Sequence, residues 1–412
     1  MYWGTVRNPL KDEGQWRRQY RILVPEAHAL GAIAVIRSLG RAGYQVHACD
    51  ADANALGLRS NFATSKVACP PYGDPVFISW LRRYIQRASI SLIIPSEGFL
   101  QAIAPEFDSF SALMPLSPDA SIVYRGFSKI DTIAHLESIS GQSDISRHLP
   151  PTLVIRRGDP LPTLQALREL GAPLYLKSDI KYSLGRGDAL LKRVAAPEEA
   201  QSEIACQLER YEAILVQGFV PGRKAAAAFC LKNGEVLASS GVLGLRTNPH
   251  TGGMMSLRVS SRLEPLHTSA LAWLQRLKWE GVAMVECKWD PSTGEYWLIE
   301  FNTRYWGYLH LDLFSGVDMP RIQADAFFGA PTSPPPVQRL GVIVRHTVPG
   351  DFGFWLSLIR DKEIGWGAKL AGTMRFAMDF LNPMIHADLL FPGDRRLYWL
   401  QWHRFVRDML RP

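Results

Sequence analysis

Residues Gly281–Gly307 read GVAMVECKWDPSTGEYWLIEFNTRYWG, and the fold turns on how this stretch pairs with itself. Two apolar runs flank Asp290, Pro291, Ser292, Thr293 and Gly294. That is turn chemistry, because Asp opens a turn, Pro fixes φ and Gly accepts positive φ. A β-hairpin is predicted. Side chains alternate along a strand, so Glu300, Asn302 and Arg304 share one face. A five-residue loop, Asp290 to Gly294, sets Glu286 opposite Leu298 and makes it the diagonal neighbour of Glu300 on that face. A loop one residue shorter or longer turns Glu286 away.

Glu286, Glu300 and Asn302 would then form a hard, oxygen-only donor set of the kind that holds Mg²⁺ beside substrate phosphates. Arg304 adds a cation suited to phosphate or carboxylate oxygens. Lys288 shares the face but lies toward the turn, and is expected to be marginal to the site. The other reading of the hairpin is an ordinary amphipathic one with a polar outer face.

The chain has 412 residues, 47% hydrophobic and 21% charged, enough for a large core and two or three domains. No apolar run is long enough to span a bilayer. The polar N-terminus lacks the apolar core of a secretory signal, so the cytoplasm is expected. Five cysteines, none in a C-x-x-C pair, point to reduced thiols rather than disulfides or zinc. A net charge of +7 is modest for this length and fits a nucleotide, a membrane or no anionic partner.

Residues 1–19 read as a leader arm with little structure. From Ile22 to Pro95, strands alternate with helices, implying a parallel α/β sheet. The first βα turn, Pro25 to Gly31, lacks G-x-G-x-x-G, so a dinucleotide fingerprint is absent. Asp50 reads as a solvated strand end. Glu97 lies at the carboxyl edge of the sheet, where ligands bind, although a helix N-terminal acid explains it equally. Residues 119–147 read as helical, with Lys129 near a helix start. Pro150 and Pro151 mark a boundary. Lys177 ends a strand before the loop Ser178 to Asp188, whose Gly185, Arg186 and Gly187 could fold over phosphates. No Walker A motif occurs. Gln217 closes an apolar strand. Lys232-Asn233-Gly234 is a hairpin turn. Gly252 and Gly253 would let backbone approach a ligand before Arg258. After Pro334–Pro336 the character changes. Residues 337–412 carry 11 Lys/Arg, 7 Asp/Glu and four tryptophans, Trp355, Trp366, Trp399 and Trp402. Packing onto the body, with Arg outside, is expected over a membrane surface, because no segment has an all-basic face.

In order and spacing these motifs resemble the ATP-grasp superfamily, among its branches the carboxylate-amine ligases related to the carbamoyl-phosphate synthase large subunit. The resemblance spans about residues 20–330. It implies an α/β fold of the ATP-grasp type: a Rossmann-like domain at 20–118, then an ATP-grasp domain at 119–336 with antiparallel sheets and a lid at about 150–216. Residues 337–412 form a basic, Trp-rich extension outside it. It implies that Lys129 and Lys177 approach the nucleotide phosphates and that Gly185, Arg186 and Gly187 belong to the lid loop. Gln217 and the backbone near Phe219 would read adenine. Glu286, Glu300 and Asn302 would hold Mg²⁺, with Mn²⁺ as a substitute. Arg258, Arg304 and Lys177 would be catalytic, and Glu97, Gly252 and Gly253 would face the substrate. Two positions depart from the pattern. Gly218 stands where many relatives carry an acid. Lys224 stands where a carboxylate often holds the ribose, and an ammonium cannot accept hydroxyl protons.

The activity implied is ATP-dependent activation of a carboxylate as an acyl phosphate, then attack by an amine. The alternative is a nucleotide-binding or membrane-peripheral protein that keeps the fold without turnover. Small-molecule carboxylate and amine partners are expected, with neither nucleic acid nor membrane contact; a homodimer is compatible.

Overall fold

A computed structural model of the chain describes residues 14–140, 145–184, 189–331 and 333–410. The first unit is a four-stranded parallel sheet built from β1 (Arg21–Val24), β2 (Gln45–Asp50), β3 (Ser65–Ala68) and β4 (Leu92–Ile93), in the order β3-β2-β1-β4. The helix Leu30–Ala42 crosses between β1 and β2 and ends at Gly43, whose φ of 101° is a left-handed stop. The end of the arm, from Gly14, is ordered where its sequence suggests little structure. Gln15–Gln19 forms a 3₁₀ turn, and Arg17 grips Asp325 with two 2.7 Å hydrogen bonds.

The second unit is antiparallel: β5 (Thr152–Arg156), β6 (Leu174–Ser178), β7 (Leu190–Val194) and β8 (Ala213–Gln217), in the order β5-β8-β6-β7. The loop residues Gly185, Arg186 and Gly187 lie outside the described residues. The third is a seven-stranded sheet of β9 (Arg223–Lys232), β10 (Glu235–Asn248), β11 (Met254–Ser260), β12 (Gly281–Trp289), β13 (Tyr296–Asn302), β14 (Ile343–Arg345) and β15 (Ile385–Ala387), in the order β13-β12-β9-β10-β11-β14-β15. The last two strands come from the basic tail, which extends the central sheet instead of merely packing on it.

The central sheet is buried on both faces, and β9 shows why its sequence is a run of alanines. Ala226, Ala228 and Cys230 face a core shared with Ile22, Leu309 and Trp306, which joins the sheet to the first unit. Ala225, Ala227 and Phe229 face the core under the helix Glu264–Arg276. Small side chains on both faces let these layers close on the sheet, and this apolar burial is the main force holding them there.

The hairpin forms as expected, but its register does not. Trp289 pairs with Tyr296, so the loop runs from Asp290 to Glu295, one residue longer than read. A longer loop would turn Glu286 from Glu300. Instead Cys287 pairs with Leu298 and Glu286 directly with Glu300, leaving Ile299 as a bulge. Tyr296 and Leu298 enter the core beneath the helix Glu264–Arg276, and Phe301 packs against that core three residues after Leu298. Glu300 and Asn302 are thereby turned to the other face. Leu298 is not on the acidic face, because burying it drives β13 to switch sides at Ile299.

Candidate active site

Glu286, on β12, is 7% exposed, and burial pushes its carboxyl up, an effect Lys224 partly offsets. The Lys224 Nζ donates to Glu286 Oε1 at 2.5 Å. Lys224 lies on the neighbouring strand β9, two residues before Ala226, the partner of Glu286. Glu300 is held by Lys129, whose Nζ stands 2.9 Å from Oε2, and Asn302 Nδ2 donates to Glu300 Oε1 at 2.9 Å. Burial opposes ionisation of Glu300, but the Lys129 ammonium outweighs it and holds the carboxyl at about 2.

Lys129 opens the helix Lys129–Ser140, where a cation opposes the helix dipole. Acids make the position tolerable. Asp179, just past β6, accepts from Ser128 Oγ at 2.9 Å and from the Ile130 N–H at 3.4 Å, and Glu300 faces the ammonium. Burial disfavours the Lys129 charge, yet Glu300 and Asp179 leave its pKa raised. Lys177 lacks such an acid. Burial, and then repulsion from Lys129, lower it to about 8. Its Nζ donates to Gln217 Oε1 at 2.6 Å, and Gln217 Nε2 donates to Thr152 at 3.0 Å.

Lys129, Lys177, Asp179, Glu300, Asn302 and Arg304 line a cavity of 410 Å³; Glu286, Lys224, Gln217 and Phe219 do not line it. A second cavity of 290 Å³ lies at the carboxyl edge of the parallel sheet, lined by Glu26, Leu30, Ser96 and Gly307 among others. Glu97 and Arg304 line both, joined by a 3.3 Å contact from Arg304 Nε to Glu97 Oε2. Glu26 was not singled out in sequence. Its backbone is left-handed at φ 53°, and burial raises its carboxyl pKa. Gly98 lies close beside it, since a Cβ there would stand 2.2 Å from Glu26 Oε1 and would push that carboxylate aside. Asp50 is not a solvated strand end. It is buried and accepts from the His28 backbone N–H and ring Nδ1, each at 2.8 Å, which locks the first βα turn around Glu26.

Other expected site residues are placed elsewhere. Arg258 is 1% exposed and bonded to Asp388 of the tail; this buried acid, unseen from local sequence, draws the guanidinium away from the cavity. Gly252 and Gly253 line neither cavity. They complete the β10–β11 turn, whose His250 is bound by Ser357 and Asp361 of the tail. Phe219 is 43% exposed, with the Lys288 ammonium 4.7 Å from its ring centre. Lys288 also donates to Val220 O at 3.1 Å, so it braces the segment after β8, and it lines neither cavity. Gly218 lacks a side chain because a Cβ would lie 1.8 Å from Leu170 O, which accounts for the missing acid there. The bond from Lys224 to Glu286 was legible only as an oddity, since it depends on the β9–β12 pairing.

The donor set fits a hard divalent cation. Among the described residues no three His, Cys, Asp or Glu side chains cluster as metal ligands; beside the paired Glu286 and Glu300 stands the Asn302 amide, which bonds Glu300. Both carboxylates already draw ammonium groups onto themselves, which a divalent cation would compete with.

Comparison with solved structures finds this same architecture. A biotin carboxylase from Campylobacter jejuni, in a β-γ-ATP complex, superposes with a TM-score of 0.58 at 15% identity, over 78% of this chain and 74% of that one. An L-amino acid ligase from Bacillus licheniformis gives 0.55 at 14% identity, over 75% and 74%. An N5-carboxyaminoimidazole ribonucleotide synthetase from Thermus thermophilus gives 0.55 at 17% identity, over 76% and 79%. No family model and no curated protein matches the sequence. The chain has the ATP-grasp fold.

Proposed function

We propose that the protein is an ATP- and Mg²⁺-dependent ligase that activates a carboxylate as an acyl phosphate and joins it to an amine. The observation that carries this reading is the pair of cavities sharing one wall. The larger is lined by the two lysines, Glu300 and Asn302, with Glu286 paired to Glu300 across the hairpin, and the smaller adds Glu26. The structural neighbours named a biotin carboxylase and an L-amino acid ligase support the same class.

Lys129 and Lys177 hold the nucleotide phosphates and neutralise the group in transit, since phosphoryl transfer is catalysed mostly by positioning and charge. Gln217 and Phe219 face the adenine, with Lys288 bracing Phe219. Arg304, on the shared wall, orients the carboxylate so that one oxygen takes the γ-phosphoryl as ADP leaves. Glu26 and Glu97 receive the ammonium of the amine. The ammonium gives one proton to Glu26, the neutral nitrogen attacks the acyl carbon, and an amide forms as phosphate departs and carries off the second proton. The lid sheet β5–β8 excludes water from the acyl phosphate. A divalent ion, when bound at Glu286, Glu300 and Asn302, supplies charge neutralisation on the phosphate oxygens.

ADP release is measured with pooled amino acids and small carboxylates, with Mg²⁺ or Mn²⁺. A substrate-dependent signal is expected. Glu300→Gln should lower it at least about a hundredfold, because a lost electrostatic contact in such a site is worth roughly 3 kcal/mol, and should lower the melt as well, since Lys129 loses its carboxylate partner. Glu295→Gln, exposed in the same turn, is the control. Equal turnover by the Glu300 variant and wild type removes the acid pair from the chemistry.

A further inference from the structure

The helix Trp366–Met378 is covered on one side only. Phe376 stacks on Trp355 with centroids 5.6 Å apart, Thr373 Oγ1 accepts the Trp355 indole N–H at 3.1 Å, and Gly372 abuts Leu358. At 100° per residue the opposite arc carries Trp366, Leu370, Met374 and Met378, with only Gly and Ala between them. These four are 86%, 63%, 57% and 64% exposed. Leu381 and Met384, 85% and 73% exposed, follow directly beyond the helix. Scattered apolar residues on a surface are ordinary; an unbroken row of this length, with no polar side chain in the arc, marks a contact surface.

The charges around the row are four cations against one exposed acid. The helix carries two ionisable residues, Lys369 and Arg375, which border the arc on either side. The Lys369 ammonium stands 5.6 Å from the Trp366 ring centre. Asp361 and Asp379, which flank the helix, are turned inward to His250 and Arg246. That leaves Glu363 as the exposed acid between Arg360 and Met384, against Arg360, Lys362, Lys369 and Arg375. A second copy docking helix to helix about a two-fold axis would bring four cations from each copy together with Glu363 alone to answer them. An anionic lipid surface answers them.

We propose that the helix Trp366–Met378 seats the protein on an anionic bilayer surface. Its apolar arc enters the acyl boundary, and Lys369 and Arg375 lie at the phosphate level. The helix lies flat, because its 13 residues at about 1.5 Å each fall short of a hydrocarbon core of about 30 Å. Among the described residues no helix is long and apolar enough to cross a membrane. The surface is separate from both cavities and stands whether or not the ligase reading does.

The test is cosedimentation of the full chain with phosphatidylcholine vesicles, with and without phosphatidylserine. Binding should require phosphatidylserine and weaken with salt. The double variant Leu370→Glu/Met374→Glu should abolish it with an unchanged melt, since both side chains are exposed in the folded protein. Lys369→Gln/Arg375→Gln should weaken it roughly tenfold or more. A wild-type chain left in the supernatant with anionic vesicles overturns the proposal. So does binding that the Glu variant retains. Sedimentation velocity covers the remaining occupant: self-association abolished by the Glu variant, without vesicle binding, assigns the face to a second copy and refutes the bilayer.

Discussion

Two lysines set the character of the site. Lys224 neutralises Glu286 at 2.5 Å where both are largely withdrawn from water. Removing one partner of such a pair leaves a buried charge uncompensated, at a cost of several kcal/mol when burial is complete. Lys224→Met should therefore destabilise the metal-free protein by about 1–3 kcal/mol. It should also make Mg²⁺ more stabilising, since the ion then meets an unclaimed carboxylate. Thermal melts in chelator and across a Mg²⁺ titration measure both, and an Mg²⁺ response equal to wild type would count against Glu286 as a ligand. Lys177 makes the pH prediction. Its folded pKa is lowered to about 8 from 10.5, so burial costs stability while the group is charged, and that cost disappears as pH rises through this window. Bound phosphates act in the opposite sense and raise it. ADP binding at pH about 9 should then take up a proton, and affinity should fall as pH climbs above about 8. Calorimetry in two buffers of different ionisation enthalpy reads the proton directly. Identical apparent enthalpies, or an uptake that Lys177→Met preserves, would assign the effect elsewhere.

At the scale of the element, the hairpin holds two demands that strict alternation cannot satisfy together. Tyr296, Leu298, Glu300 and Asn302 sit at every second position, yet the first two belong in a core and the last two meet Lys129 at the cavity wall. The bulge at Ile299 resolves the conflict. Leu298→Ala tests the assignment. With Leu298 at 2% exposure in a packed core, truncation should cost about 2–4 kcal/mol in urea unfolding and leave ADP affinity unchanged. A loss below about 1 kcal/mol, with altered nucleotide binding, would place Leu298 on the acidic face instead.

Across the whole molecule the tail acts as a clasp. Arg37 of the first unit donates from Nε to Asp394 Oδ2 at 2.9 Å, with both side chains fully buried, and from its Nη atoms to the carbonyls of Asp388 and Leu389. Arg258 of the central sheet bonds Asp388 in turn. Asp394→Ala leaves the Arg37 guanidinium buried without its acid and should cost about 3–5 kcal/mol in urea unfolding. A cost below about 1 kcal/mol would mean that the tail docks without holding the units together. Arg258, read as catalytic, belongs to this clasp.

Local chemistry alone determined a good deal: the alternating strands and helices of the first unit, the left-handed stop at Gly43, the hairpin with its Asp-Pro turn, and the presence of Lys129, Lys177, Glu286, Glu300, Asn302 and Arg304 at motif spacing. The lysines, acids and Arg304 are grouped by motif order through the family resemblance, whereas the turns, strands and caps follow from residues within a few positions of one another. Strand register, the partner of a buried charge and the destination of the tail do not. The loop proved one residue longer than read, and core packing of Leu298 decided which face the acids took. Asp50 became buried because the His28 turn folded onto it, and Lys224 met Glu286 because β9 lies beside β12. Arg258 turned to an acid 130 residues away. Such choices are made when distant segments bury apolar surface together, and a buried charge must then find whichever partner that packing delivers.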